Sequence, residues 1–323
     1  MWYRFGLTVV VAVAVAFSVR QYFYGRRCKC RASLKGRVVI ITGATSGIGL
    51  AVAKELASRG ANLILTGRNL CKLSKVEKHL KKEIPEGNIE AQLLDLTSFR
   101  SISTFVEQIS KSNQPVHALI NNAGVFYANP ENTADGFDVT FQTNYLGVFL
   151  LTLLLLPVLK KDNVARIVNL SSAAHNFVHT YPKLEYHKVF DDCPENRFQA
   201  YGYSKFCLVL FSVKLSKLLY NTNVSVHCVD PGNVETNIFH NFPPLADPWR
   251  FYLQKPFRVF VIKRPLEAAQ SVLHALLAPK PGFYIKGLEQ TEEYNPDVQD
   301  LVYAEQLWIE SRKACAAHLS STK

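Results

Sequence analysis

Acidic residues are missing from the first 37 positions of this 323-residue chain, which hold eight lysines and arginines. The formal net charge of +11 is therefore concentrated there, and the rest of the chain carries a net +3. That distribution excludes a chain-wide basic surface for nucleic acid, and no zinc-finger spacing or RNA-binding aromatic signature interrupts the remainder. Cysteine is scarce and scattered. The seven are Cys28, Cys30, Cys71, Cys193, Cys207, Cys228 and Cys315, an odd set that makes no disulfide framework and suits a reducing compartment. Cys28 and Cys30 form a C-x-C pair, too close and too isolated for a tetrahedral zinc site, so no metal is expected. No internal repeat and no Pro/Gly/Ser linker divides residues 33–323, which excludes repeat arrays and multi-domain organisation. With 48% hydrophobic and 20% charged residues the chain is globular in composition, not disordered or collagenous.

What is present begins at the N-terminus. Residues 5–19 form an uncharged Val/Ala-rich run between Trp2–Tyr3 and the aromatics Tyr22, Phe23 and Tyr24. Aromatic flanks of this kind sit at membrane interfaces, and Arg4 and Arg20 can snorkel to lengthen a short span. Five positive residues from Arg20 to Arg31 follow the run, which places the downstream side in the cytosol by the positive-inside rule. The rival, a cleaved signal peptide, has an Arg4 n-region in its favour and this basic cluster against it. Residues 1–32 are thus expected to be a membrane anchor with a basic juxtamembrane segment, at the endoplasmic reticulum or a lipid droplet. Residues 33–323 are expected to form one domain, facing the cytosol.

Short β-branched runs then alternate with helical patterns. The runs are 38–41, 62–66, 89–94, 118–121, 166–170 and 224–229, with 283–285 as a last strand; helical spacing fills 50–58, 72–84, 102–109, 145–159 and 205–219. Near-continuous apolar strands alternating with helices predict an α/β class, a doubly wound parallel sheet of the Rossmann type, with ligands beyond the C-terminal strand ends. One stretch is irregular. Residues 233–263 carry seven Phe, Trp and Tyr residues among prolines, and are expected to be a substrate lid or a loop whose aromatics cover the core.

The first strand runs into Thr42-Gly43-Ala44-Thr45-Ser46-Gly47-Ile48-Gly49 and then a helix. Glycines allow a tight turn and close backbone approach, and the helix N-terminus offers unpaired N–H groups to a pyrophosphate. This is a dinucleotide-binding signal because a strand precedes it and a helix follows. At the end of the second strand there is no acid for a ribose diol. Arg68 stands there instead, placed to pair with a 2′-phosphate, which favours NADP(H) over a merely solvated arginine. Asp95, after the third strand, is a candidate for the adenine amine or for a helix cap near Ser98.

Asn121-Asn122-Ala123-Gly124 closes the fourth strand, and Asn144 interrupts an otherwise apolar helix, an unfavourable place unless it is used. Strand five ends in Ser171-Ser172. Tyr201 and Lys205, four apart, share a helix face, where an ammonium would lower the tyrosine pKa and let it exchange a proton with a carbonyl or alcohol oxygen. Tyr203 lies off that face.

Together, in order, these motifs and Pro231-Gly232-Asn233-Val234-Glu235-Thr236 resemble the short-chain dehydrogenase/reductase family over residues 35–287. The resemblance implies a tetrad: Asn144 supporting a water relay, Ser172 bonding the substrate oxygen, Tyr201 as acid/base and Lys205 on the nicotinamide ribose. It also implies that Asn122, Tyr201, Lys205 and Thr236 join the turn residues in holding NADP(H). Within the family, the N-terminal run, Thr66-Gly67-Arg68 and the C-terminal extension look like the retinol-dehydrogenase branch, and other segments are similar to a relative associated with polyprenol metabolism. The implied activity is interconversion of a lipophilic alcohol and its aldehyde or ketone. A steroid or sterol substrate is the alternative within the enzyme class, and a cofactor-binding interaction protein without turnover is the alternative outside it. The implied partners are a lipophilic small molecule, the membrane and, as a homodimer, a second copy of the chain.

Overall fold

The structure, a computed structural model, describes residues 27–129, 131–180, 196–234, 262–280 and 282–320 together with Val11 and Ser18. Residues 1–26 of the expected anchor, apart from Val11 and Ser18, lie outside the described residues, as do Thr236 and most of the expected lid.

Seven strands run parallel: β1 Val38–Thr42, β2 Asn62–Gly67, β3 Ile89–Leu93, β4 Val116–Asn121, β5 Ala165–Leu170, β6 Val224–Asp230 and β7 Tyr284–Lys286. β8, Glu289–Gln290, returns antiparallel on β7, which the sequence pattern did not announce. The sheet order is β3-β2-β1-β4-β5-β6-β7-β8, and the reversal falls between β1 and β4. Ligand crevices open at such a switch point, beyond the C-terminal strand ends.

The helices are α1 Gly47–Ala57, α2 Leu70–Glu83, α3 Phe99–Lys111, α4 Val139–Leu159, α5 Arg197–Leu218, α6 Pro265–Leu277 and α7 Leu301–Ala314. Several starts are written in the sequence. Asn69, Ser98, Asn196 and Asp300 each accept a hydrogen bond from a backbone N–H in the first turn of the helix that follows. Side chains of β1 alternate between two cores. Val38 and Ile40 join Phe99, Phe149 and Phe211 beneath α3, α4, α5 and α7, whereas Val39 and Ile41 join Val52, Leu73 and Leu273 beneath α1, α2 and α6. A strand buried on both faces cannot alternate polar and apolar residues, which is why VVIIT reads as one run.

α4 is long and apolar enough to cross a membrane, yet 83% of its most hydrophobic stretch is buried inside the domain. It is the central core helix, apolar all round because it is covered all round. α7 completes that side. Trp308 packs against Phe149 and Phe211 at centroid distances of 5.3 and 6.1 Å, and the buried Tyr145 hydroxyl meets Ser311 Oγ at 2.6 Å. Of the described cysteines, Cys207, Cys228 and Cys315 are buried as small apolar residues, and Cys71 is exposed.

Candidate active site

The turn after β1 is built by contact between two strand ends. Gly43 has φ +67, and a Cβ there would lie 2.8 Å from the Cα of Ala123, so the position requires glycine twice over. Thr42 Oγ1 accepts from the N–H groups of Asn122 and Ala123 at 3.0 and 2.9 Å, while Asn122 Nδ2 donates to the carbonyls of Thr42 and Gly43 at 2.7 and 3.2 Å. Asn122 therefore locks the end of β4 onto the glycine turn. Ser46, extended at the N-terminus of α1, makes no capping bond, so the first N–H groups of α1, from Gly47, Ile48 and Gly49 onward, have no side-chain partner from it.

Arg68 follows β2 directly and is exposed, and among the described residues it makes no hydrogen bond or ion pair. Thr45 of the glycine turn lies beside Gly67, so the backbone that carries Arg68 passes next to that turn. Asp95 Oδ1 accepts from the Thr97 N–H and hydroxyl at 2.9 and 2.7 Å. Ser98, not Asp95, caps α3, which leaves the other Asp95 oxygen without a partner among the described residues. An uncapped helix N-terminus, an unpaired arginine and a half-used carboxylate follow the C-terminal ends of the neighbouring strands β1, β2 and β3, where they could hold a dinucleotide.

Asn144 lies in a π-helical turn, Gln142–Leu146, inside α4. Such turns redirect a side chain within a helix. The buried carboxamide clasps Val125, accepting from its N–H at 2.8 Å and donating to its carbonyl at 2.9 Å, and Nδ2 also reaches Ser204 Oγ at 2.9 Å. Ser204 in turn donates to the carbonyl of Tyr201 at 2.7 Å. Beneath Gly124 the Asn144 carboxamide and the Lys205 ammonium converge: a Cβ on that glycine would lie 3.2 Å from Asn144 Oδ1 and 3.5 Å from Lys205 Nζ.

Tyr201 rises from the first turns of α5 against Phe126 and Ala174, its ring 4.8 Å from that of Phe126 in an edge-on contact. Gly202 lets α5 approach the Ser172 loop, since a Cβ there would sit 2.9 Å from the Ala174 carbonyl. The two serines that follow β5 part company. Ser172 faces Tyr201 and its hydroxyl eases the phenol downward, whereas Ser171 is turned toward Cys228 and Tyr284. Tyr203 points into the core beside Phe206.

Burial outweighs Ser172 and pushes the Tyr201 phenol up to about 12, with Asp230 adding to the rise. Burial also brings the Lys205 ammonium down to about 8. Lys205 Nζ donates to the carbonyl of Leu170 at 2.8 Å and lies 5.8 Å from the centre of the Tyr201 ring. In this arrangement the ammonium is engaged by the β5 carbonyl, and desolvation governs Tyr201. Three supports were not legible in advance. They are Ser204 between Asn144 and Tyr201, Phe126 on the phenol, and His175, whose Nδ1 lies 2.5 Å from the Ser172 carbonyl. Ser204 stood inside the Y-x-x-x-K string; the other two carry no local signal.

Residues 37–182 match the short chain dehydrogenase family model. Human retinol dehydrogenase 12 is 37% identical over 298 residues, 91% of this chain and 91% of that protein. The chain belongs to the short-chain dehydrogenase family. Human polyprenol dehydrogenase is 35% identical over 291 residues, 85% of this chain and 84% of that one. Among solved structures, an uncharacterised protein from Mycobacterium paratuberculosis superposes with a TM-score of 0.70 at 27% identity, covering 90% of this chain and 97% of its own. This short-chain dehydrogenase therefore has the Rossmann-type fold of an oxidoreductase family that uses nicotinamide cofactors.

Proposed function

We propose that this short-chain dehydrogenase is a membrane-anchored, NADP(H)-dependent oxidoreductase that interconverts a lipophilic alcohol, of retinoid or polyprenoid type, with its aldehyde or ketone. The observation that carries the reading is the meeting of Ser172, Tyr201, Lys205 and the Asn144 clasp at the C-terminal ends of β4 and β5. Arg68, unpaired beside the glycine turn, supports a 2′-phosphate. The likeness to a retinol dehydrogenase and a polyprenol dehydrogenase supports the substrate class. So does an aromatic wall beside Tyr201, where Phe126, Phe198 and Phe177 meet in successive ring contacts of 6.0 Å. We read residues 1–32 as the anchor and 33–323 as the catalytic domain, on the cytosolic face of the endoplasmic reticulum or a lipid droplet.

The turn residues Gly43, Ser46, Gly47, Ile48 and Gly49 would receive the diphosphate, Arg68 the ribose phosphate, Asp95 the adenine, and Lys205 the second ribose. Asn122 holds the turn in shape, and Thr236 joins the set by its place in the motif order. When bound, the nicotinamide supplies or takes up the hydride. Ser172 Oγ bonds the substrate oxygen, and Tyr201, kept protonated by burial, donates its proton to that oxygen as negative charge develops there. In the reverse direction the phenol must lose that proton first, which an ammonium moved from the Leu170 carbonyl toward the ring would ease. Phe126 shields the phenol and keeps water from the exchange.

The test is oxidation of NADPH and of NADH by the full chain in liposomes, with retinal, a polyprenal and a steroid ketone as substrates. Turnover with NADPH on a chain-like aldehyde, cut by about 10²–10⁴ in Tyr201→Phe, is expected. Turnover of the steroid alone would replace the substrate class, and tight NADPH binding without turnover on any of the three would overturn the enzyme reading.

A further inference from the structure

Away from the active site, the fold gives the C-x-C pair the third donor that the sequence withheld. Cys28 and Cys30 lie on the segment that precedes β1, and His274 comes from α6, yet the two sulfurs and an imidazole nitrogen all lie within 4.8 Å of one another. In a tetrahedral zinc site with bonds of about 2.3 Å to sulfur and 2.0–2.1 Å to nitrogen, donors stand roughly 3.5–4 Å apart. The observed separations exceed that spacing by no more than about 1 Å. We propose that Cys28, Cys30 and His274 form a zinc(II) site with its fourth position open to water.

The backbone around the cluster is already fastened. The Cys28 N–H donates to the largely buried Gln270 Oε1 at 3.0 Å, and Arg59 Nη1 donates to the Cys30 carbonyl at 2.8 Å. All three ligand side chains are half-buried, so the ion is shielded and still reachable. Two thiolates and one divalent ion sum to no net charge, which suits a place bordered by Arg59 and Arg166.

The cluster stands at the opposite end of the sheet from Tyr201. Arg166, near the start of β5, donates to the carbonyl of Ala275, next to His274, whereas Lys205 reaches Leu170 at the strand's far end. The ion would act structurally, fastening the end of the basic N-terminal cluster to α6, and would not touch substrate.

The experiment is zinc content by mass spectrometry of the full chain, purified in detergent with a phosphine reductant, and the visible spectrum of the same protein stripped and reloaded with Co(II). About one zinc per chain and a thiolate-to-cobalt charge-transfer band are expected. Cys28→Ser/Cys30→Ser should abolish both, and His274→Gln should weaken Co(II) binding by about tenfold or more. NADPH binding, measured on each variant, reports that the fold is intact. If the double-cysteine protein fails to fold, the titrations of the wild type and His274→Gln still decide. A wild-type chain that retains no zinc and gives no thiolate band, a His274→Gln protein that binds as tightly as wild type, or a Cys28–Cys30 disulfide that persists under reductant would each overturn the site.

Discussion

Asn144 donates to the hydroxyl of Ser204 at 2.9 Å, and Ser204 passes the contact on to the carbonyl of Tyr201 at 2.7 Å. The core helix α4 is thereby tied to the helix that carries the phenol, while the same carboxamide holds both polar groups of Val125.

Asn144→Ala leaves the Val125 N–H and carbonyl and one lone pair of Ser204 without this partner. A loss of about 3 kcal/mol in urea unfolding is expected, with a fall in turnover greater than the fall in NADPH affinity. Asn144→Asp keeps the acceptor for Val125 N–H and should lie between. An alanine variant as stable and active as wild type would show the clasp to be dispensable.

Arg68→Ala should raise KM for NADPH roughly 10- to 100-fold, the worth of charge-assisted bonds to a phosphate, and leave KM for NADH unchanged. Steady-state kinetics with both cofactors checks this. Equal effects on the two would remove the 2′-phosphate from the account of Arg68.

His227 predicts a pH dependence of stability. Its Nδ1 donates to the Gly282 carbonyl at 2.6 Å, and burial depresses its pKa from 6.5 to about 4. The unfolded chain therefore binds more protons than the folded one between these values. Stability present above pH 6.5 is lost as pH falls toward 4. Denaturation midpoints taken across that window should drop with pH, and His227→Gln, which can still donate to Gly282, should flatten the slope. An unchanged slope in the variant would assign the loss to other groups.

Trp308→Ala removes the ring that covers Phe149 and Phe211. Because Trp308 is half-buried, the expected cost is about 2 kcal/mol, below the 3–5 kcal/mol of a fully buried tryptophan. Thermal unfolding measures it. A variant with the wild-type Tm would mean that α7 does not support the core.

The glycine turn, the Asn122 string and the Tyr201–Lys205 pair were legible in the sequence because each works within a few residues of chain. A turn that needs positive φ demands glycine, and a helix brings positions four apart onto one face. Strand positions were legible for a similar reason, since a parallel sheet covered on both sides leaves unbroken apolar runs such as Val38 to Ile41. The same rule hid the difference between a membrane span and a core helix in α4, whose composition fits both.

The sequence by itself determined the order of elements, the place of the glycine turn and the face shared by Tyr201 and Lys205, because short-range stereochemistry governs each. Only the tertiary structure decided that Lys205 turns to Leu170, that desolvation raises the Tyr201 phenol, that α7 closes the core and that His274 comes to stand beside Cys28 and Cys30. These relationships join groups far apart in the chain or depend on how much water the packed fold excludes, and neither is written in local spacing.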